Sequence, residues 1–294
     1  MSDAPLQPDA APPAPSPAAP EEAPVASGDV LSFREAVATL WQTLCLWRIW
    51  FTLGRRDFVM RFKRMRLGVA WQFVTLCMLL LTIGFIYATL FKTNIRDFLV
   101  FLSASLIMWF YLVLSIDTGC LALIGSEGYI KQLPVPPLTY AFRSATANTL
   151  SLLLTAPAFF VIKFAFQPTF WWGMCWAAPG LLAFILTVAL VGACLAFLNA
   201  RIRDVQPAVT TLMQILFYVT PIIYMPSQLA NSGKAFVYLY NPLFHVINVV
   251  RGPLLGTTEL LSTSWAVTGG VLVLLVGLLL WIVARFSRRI VYYL

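Results

Sequence analysis

Six long apolar stretches, almost free of ionisable side chains, decide what this chain can fold into. They run Trp71–Phe91, Phe98–Asp117, Tyr140–Phe164, Trp172–Leu198, Pro207–Tyr224 and Trp265–Ala284. Each comes near or exceeds the ~20 apolar residues that cross a hydrocarbon core of ~30 Å. A bilayer offers no water to backbone groups, so a crossing segment must bond to itself as a helix or join a closed barrel. None of the six alternates with period two. The expectation is an all-α polytopic membrane protein with six transmembrane helices. Composition agrees, since only 11% of the 294 residues are charged and 60% are hydrophobic, against roughly 25% charged in soluble domains.

The formal charge is +8, which in a soluble protein would suggest nucleic acid. Here position matters more than sum, and no nucleic-acid partner is expected. With the N-terminus inside, fifteen of the twenty Lys and Arg fall on the inner side. The five outer ones are Lys92, Arg96, Lys163, Lys234 and Arg251. The positive-inside rule then places both termini in the cytoplasm, and an even number of spans agrees.

The chain divides into three regimes. Residues 1–30 form an Ala/Pro-rich tail, with eight prolines and eight alanines before residue 30; such a composition buries no core and is expected to be disordered. It lacks the basic start and apolar centre of a signal peptide. Residues 31–70 hold interfacial amphipathic helices, and 71–294 the six-helix transmembrane domain. Within the second regime, Phe58, Phe62, Met65 and Val69 share one helix face. Arg55, Arg56, Arg61, Lys63, Arg64 and Arg66 fill most of the rest. A helix of this kind sits on an anionic leaflet, at about 1 kcal/mol per basic residue.

The spans carry little chemistry. There is no GxxxxGK[ST] motif, so no phosphate-cradling loop of this chain's own. His245 stands alone in apolar surroundings and reads as packing. Cys45, Cys77, Cys120, Cys175 and Cys194 form no CxxC or Cys/His cluster, so buried packing is their reading and no metal site is expected. Asp117 and Lys163 lie near span ends, leaving mid-membrane positions bare, whereas ion-coupled carriers place ionisable groups there. Pro157, Pro179 and Pro221 fall inside spans. A membrane enzyme such as a glycan-lipid transferase would need acids or metal ligands facing a cavity. Energy is expected from a partner.

Two connections stand out. The loop 125–138, GSEGYIKQLPVPPL, opens with Ser126–Glu127 and is stopped by Pro134, Pro136 and Pro137; it reads as a short helix across the span ends or as a plain connection. The segment 225–264 contains Pro242–Leu255, apolar but too short to cross, hence re-entrant or interfacial. Asp204 is placed to cap the fifth span, with Pro207 in its first turn.

In order, RRDFVMRFKRMRLGVAW (Arg55–Trp71), EGYIKQLPVP (Glu127–Pro136), ARIRDV (Ala200–Val205) and YNPLFHVINVVRGPLL (Tyr240–Leu255) resemble the membrane subunit of an ABC exporter of the type-2 family, in the group that exports polysaccharides and polyol phosphates. The resemblance covers almost everything after residue 30. It implies a homodimer in which each protomer docks a separate ATPase subunit, two copies in all. ATP and Mg are then held by that partner, and this chain carries no cofactor. It places Glu127, Tyr129, Ile130 and Lys131 at the coupling helix. Tyr240, Asn241, Pro242 and Arg251 fall in the extracytoplasmic gate, where Arg251 either holds the fold or meets phosphate or glycan. The implied substrate is a glycan on a polyprenyl diphosphate, O-antigen of lipopolysaccharide above all, with capsule, teichoic acid, or a drug or small lipid as alternatives.

Residue chemistry meets that picture twice. A diphosphate needs cations, and the planar guanidinium donates two hydrogen bonds to it; the basic set Arg55 to Arg66 serves that or binds ordinary membrane lipids. A moving sugar chain needs apolar faces with few fixed hydrogen bonds. Phe85, Tyr87, Trp109, Phe110, Tyr111, Phe217, Tyr218 and Tyr224 are the candidates to line a channel, unless they are core or belt residues.

Overall fold

The computed structural model describes residues 31–63, 66–68, 70–90, 93–169, 171–257 and 260–294. The Ala/Pro tail, Arg64, Met65 and Val69, Phe91 at the end of the first apolar stretch, and Lys92 lie outside the described residues. Those described fold into thirteen α-helices and short 3₁₀ turns, with no strand among them.

Five helices are long and apolar enough to cross a membrane. They are α3 (Ala70–Leu90), α4 (Ile95–Cys120), α6 (Leu138–Phe166), α7 (Ala177–Arg201, entered through a 3₁₀ turn at Trp172–Trp176) and α12 (Leu261–Phe286). α4 is apolar on every face and is accordingly the central helix, with Phe98, Leu102 and Leu106 fully buried. α3 is peripheral and buries a stripe of Leu76, Leu80, Gly84 and Ala88 at four-residue spacing. Small residues at the seam let it lie close to α4: a Cβ on Gly84 would meet the Leu99 side chain.

The fifth apolar stretch departs from expectation. Its helix, α8, spans only Val205–Val219, 15 residues, about 22 Å at 1.5 Å per residue, short of a ~30 Å core. The cause is Pro221, which disfavours helical backbone at the preceding residue. Thr220 is extended (φ −83°, ψ 132°), so Pro221 lies beyond the helix rather than inside a span. The N-terminus also differs. Asp204 occupies the cap position but its side chain makes no capping bond. Asn199 Oδ1 accepts instead from the Gln206 backbone N–H at 3.0 Å.

Two helices precede α3. α1 (Phe33–Cys45) opens on a capping box: the Glu35 N–H donates to Ser32 Oγ and the Ser32 N–H donates to Glu35 Oε2 at 2.7 Å, satisfying two otherwise orphaned donors. It packs on α12, and the Leu31 N–H donates to Ala284 O. α2 (Trp47–Phe62) packs along α6. Gly68, at φ +50°, turns the chain after the basic stretch, a conformation glycine adopts freely.

The remaining helices cap the two ends of the bundle. α5 (Glu127–Gln132) follows a 3₁₀ turn after α4. At the opposite end lie α9 (Pro226–Asn231), α10 (Phe236–Leu239) and α11 (Pro242–Leu255), while α13 (Ile290–Tyr293) closes the chain near α5 and α7. α11 has the bounds its sequence dictates. The Leu243 N–H donates to Asn241 Oδ1 at 3.0 Å, Pro242 stands in the first turn, and Gly256 ends the helix at φ +78°, an N-cap and left-handed C-terminus in the usual order. It is wedged against α7, where a Cβ on Gly180 would lie 2.2 Å from Val249 O.

Candidate functional site

At the α5 end, the candidate coupling residues divide by environment. Glu127 and Lys131 face outward and pair with each other at 2.6 Å, a half-exposed contact that contributes little to stability. Ile130 is buried. Tyr129 lies between: its ring stacks on Tyr140 with centroids 6.3 Å apart, and the Arg143 guanidinium sits over it at 5.4 Å. Arg143 also binds Asp57 of α2 through two bonds of 2.5 and 2.7 Å, the bidentate geometry that makes such pairs directional. One guanidinium therefore joins α5, α6 and α2.

The basic set splits as well. Arg55, Arg56 and Lys63 line an open groove of about 630 Å³ with Phe58, Val59, Met60 and Gly68, and all three cations are exposed. Arg66 is exposed further along. Arg61 turns inward and donates to Asn148 Oδ1 at 3.2 Å, leaving its buried Nη1 without a partner. Burial holds its pKa below the ordinary value, with Asp57 pulling the other way. Only Arg55, Arg56, Lys63 and Arg66 are thus presented outward among the described cations of the set.

The aromatic candidates fall into three places. Trp109, Phe110, Phe217 and Tyr218 surround a cleft of about 280 Å³ between α4 and α8, with the Trp109 and Phe217 rings 5.5 Å apart. Tyr111 points to the other side of α4, where its hydroxyl meets Thr149 Oγ1 at 3.2 Å and its ring packs on Phe184. Phe85 is exposed on α3, and Tyr87 packs partly against the core. The Tyr224 hydroxyl folds back to donate to Tyr218 O and Val219 O, over the end of α8.

At the far end, Arg251 is only 2% exposed. Its Nη1 donates to Pro221 O at 2.8 Å and to Ser105 Oγ at 3.1 Å, and its guanidinium lies over Phe101 and Phe244 at 4.8 and 5.3 Å. It lines a cavity of about 410 Å³ with Asp97, Gln167 and Asn248. Asn241 donates to Thr220 Oγ1 at 2.9 Å. These two side chains hold the irregular backbone after α8, which is how non-helical segments persist inside a membrane protein. Tyr240 is exposed. His245 Nε2 donates to Leu239 O at 2.8 Å, and its Nδ1 meets the Ser264 hydroxyl, which also accepts from Asn248; every polar atom of the imidazole is used within the fold. The cysteines are all free, with Cys120 and Cys194 buried but Cys45, Cys77 and Cys175 exposed on helix surfaces, contrary to uniform burial.

Asp57, Asn148, Asn199 and Gln206 were not singled out by the sequence. Their signal was present: one acid in a basic run, and lone amides in or beside apolar stretches.

The profile described as ABC-2 type transporter matches residues 48–255. The chain belongs to the ABC-2 type transporter family. That match runs from α2 to the end of α11 and so includes both end clusters and the aromatic cleft. An ABC-2 transporter subunit is a permease, not an enzyme, and works with a nucleotide-binding ATPase. Among curated relatives, the O-antigen export system permease protein RfbA of Klebsiella pneumoniae is 25% identical over 199 residues, 66% of this chain and 75% of the relative. Its namesake from Myxococcus xanthus is 24% identical over 195 residues, 65% of this chain and 74% of the relative.

Proposed function

We propose that this chain is the membrane subunit of an ATP-driven exporter that moves a polyprenyl diphosphate-linked polysaccharide, lipopolysaccharide O-antigen, across the bacterial inner membrane. The observation that carries the reading is likeness over about two thirds of the chain to permeases named for O-antigen export in two bacteria. The arrangement of side chains supports it. Arg55, Arg56 and Lys63 offer a diphosphate an accessible cationic groove, and a planar guanidinium suits that anion. Trp109, Phe110, Phe217 and Tyr218 offer a sugar chain apolar faces.

In this reading two copies assemble with two ATPase subunits, which hold ATP and Mg. The termini and α5 face the cytoplasm, α5 receives the ATPase, and α9 to α11 form the outer gate, with α11 re-entrant and α8 completing a sixth crossing together with the irregular backbone 220–224 that follows it. Residues 31–62 lie at the headgroup level beside the transmembrane domain. The test is deletion of this subunit in its host, followed by electrophoresis of surface lipopolysaccharide. Loss of the long-chain ladder with glycan accumulating inside is the expected result; an unchanged ladder refutes O-antigen as the cargo.

A further inference from the structure

The last turn of α4 is where the bundle is tied to itself. Asp117 Oδ1 accepts from Gln206 Nε2 at 3.0 Å and from Thr210 Oγ1 at 3.2 Å, both on α8. The Thr118 hydroxyl accepts from Asn148 of α6 at 2.7 Å, and Asn148 holds Arg61 of α2. Gly119 meets α7 backbone to backbone, since a Cβ there would lie 2.8 Å from Gly192 Cα. Cys120 O accepts from Asn199 of α7 at 2.9 Å. Asn199 Oδ1 then returns to the Gln206 backbone N–H. Asp117, Gln206, Asn199 and Cys120 therefore form a closed circuit across α4, α7 and α8.

Holding helices together does not require this circuit. Apolar side chains of like size would pack the same seam without desolvating a carboxylate and two amides. What the polar set adds is direction: each bond fixes one register between helix ends. The remainder of the α4–α8 contact is different, being ring faces around a cleft. Between its ends α8 packs lightly within the protomer, with Met213 its one buried residue. It is therefore gripped by polar bonds in its first turn and tied beyond its last turn, where Asn241 holds Thr220 and Arg251 holds the Pro221 carbonyl, so that the ring-lined stretch between is the part that can adjust. α5 begins seven residues after Cys120, so a push on α5 reaches the grip directly.

We propose that Asp117, Asn199 and Gln206 are positioning residues that carry a displacement of α5 into α8, changing the width of the cleft between Trp109 and Phe217. This rests on the reading of α5 as the ATPase docking element. The experiment uses the full chain reconstituted with its ATPase in proteoliposomes. Spin labels are placed at Val113→Cys and Gln214→Cys, two residues lining that cleft, after replacing the native cysteines by Ser. The parent is expected to show an ATP-dependent change in label distance. Asp117→Leu and Asn199→Leu should abolish that change and cut export at least tenfold, while ATP hydrolysis stays within twofold.

Asp117→Asn keeps an acceptor oxygen and should retain most of both readouts. Thr210→Val removes only one of the two bonds to Asp117 and should fall between. A distance change that survives Asp117→Leu overturns the proposal. So does hydrolysis that falls in step with export, which marks the circuit as a fold element only. The docking reading has its own readout, co-purification of the ATPase: if Glu127→Lys and Gly128→Trp in α5 leave co-purification and hydrolysis intact, that reading is wrong and the inference falls with it.

Discussion

Arg251 shows how one residue can stand in for missing secondary structure. Pro221 denies α8 its last turn, and the freed Pro221 carbonyl is taken by Arg251 Nη1 at 2.8 Å. Removing the donor strands that carbonyl in a buried setting, at about 1–3 kcal/mol for an unsatisfied group, while the Ser105 hydroxyl keeps its bond to Phe101 O. Arg251→Met is therefore expected to lower the thermal midpoint of the purified protein clearly, by more than any single exposed Arg→Met change on α2. Arg251→Lys should recover part of the loss, because an ammonium can still donate but cannot lie flat on Phe101 and Phe244. Equal midpoints for Arg251→Met and wild type would show that the carbonyl finds another donor. The sequence marked Arg251 as important but could not say to what, since its partners lie 146 and 30 residues away.

At the scale of the element, legibility followed the range of the cause. α11 could be bounded from sequence because an Asn-Pro start and a glycine stop are local. α8 could not, because its apolar pattern continues past Pro221 while the backbone does not. Hydropathy counts side chains, and proline acts on the residue before it. Replacing Pro221 by Ala should let the helix run on. The expected outcome is slower amide exchange at residues 222 and 223 than in the parent, and unchanged exchange there would place the stop elsewhere.

The seat of α2 on α6 was hidden for the opposite reason: it depends on closeness rather than on hydrophobicity. Gly54 touches α6 where a Cβ would lie 2.6 Å from Arg143 O. Gly54→Leu should lift α2 off α6 at a cost of about 1–3 kcal/mol, the usual penalty of overpacking. It should also separate Asp57 from Arg143. Cysteine labelling at Phe62→Cys, a buried position, is expected to speed up in that variant, and an unaltered labelling rate would mean the helix accommodates the side chain by bending.

Across the whole molecule, scarcity of charge in the spans left the chemistry at the two ends, and the fold then sorts the charges that remain. The run of cations after Gly54 reads in sequence as one basic helix. In the fold it is two populations, because helix periodicity turns Arg61 toward Asn148 while Arg55, Arg56 and Lys63 stay on the groove. Their functions should therefore separate by mutation. Replacing Arg55, Arg56 and Lys63 together by Gln removes three exposed charges. At about 1 kcal/mol each near an anionic surface, that is roughly 100-fold in affinity of the purified protein for anionic vesicles. Export should fall with it, while thermal stability stays near wild type. Arg61→Gln should do the reverse, loosening α2 from α6 and lowering stability with little change in vesicle affinity. If the triple variant exports normally, the exposed cations serve only to seat the helix on the membrane. Substrate recognition must then be sought deeper, at the α4–α8 cleft.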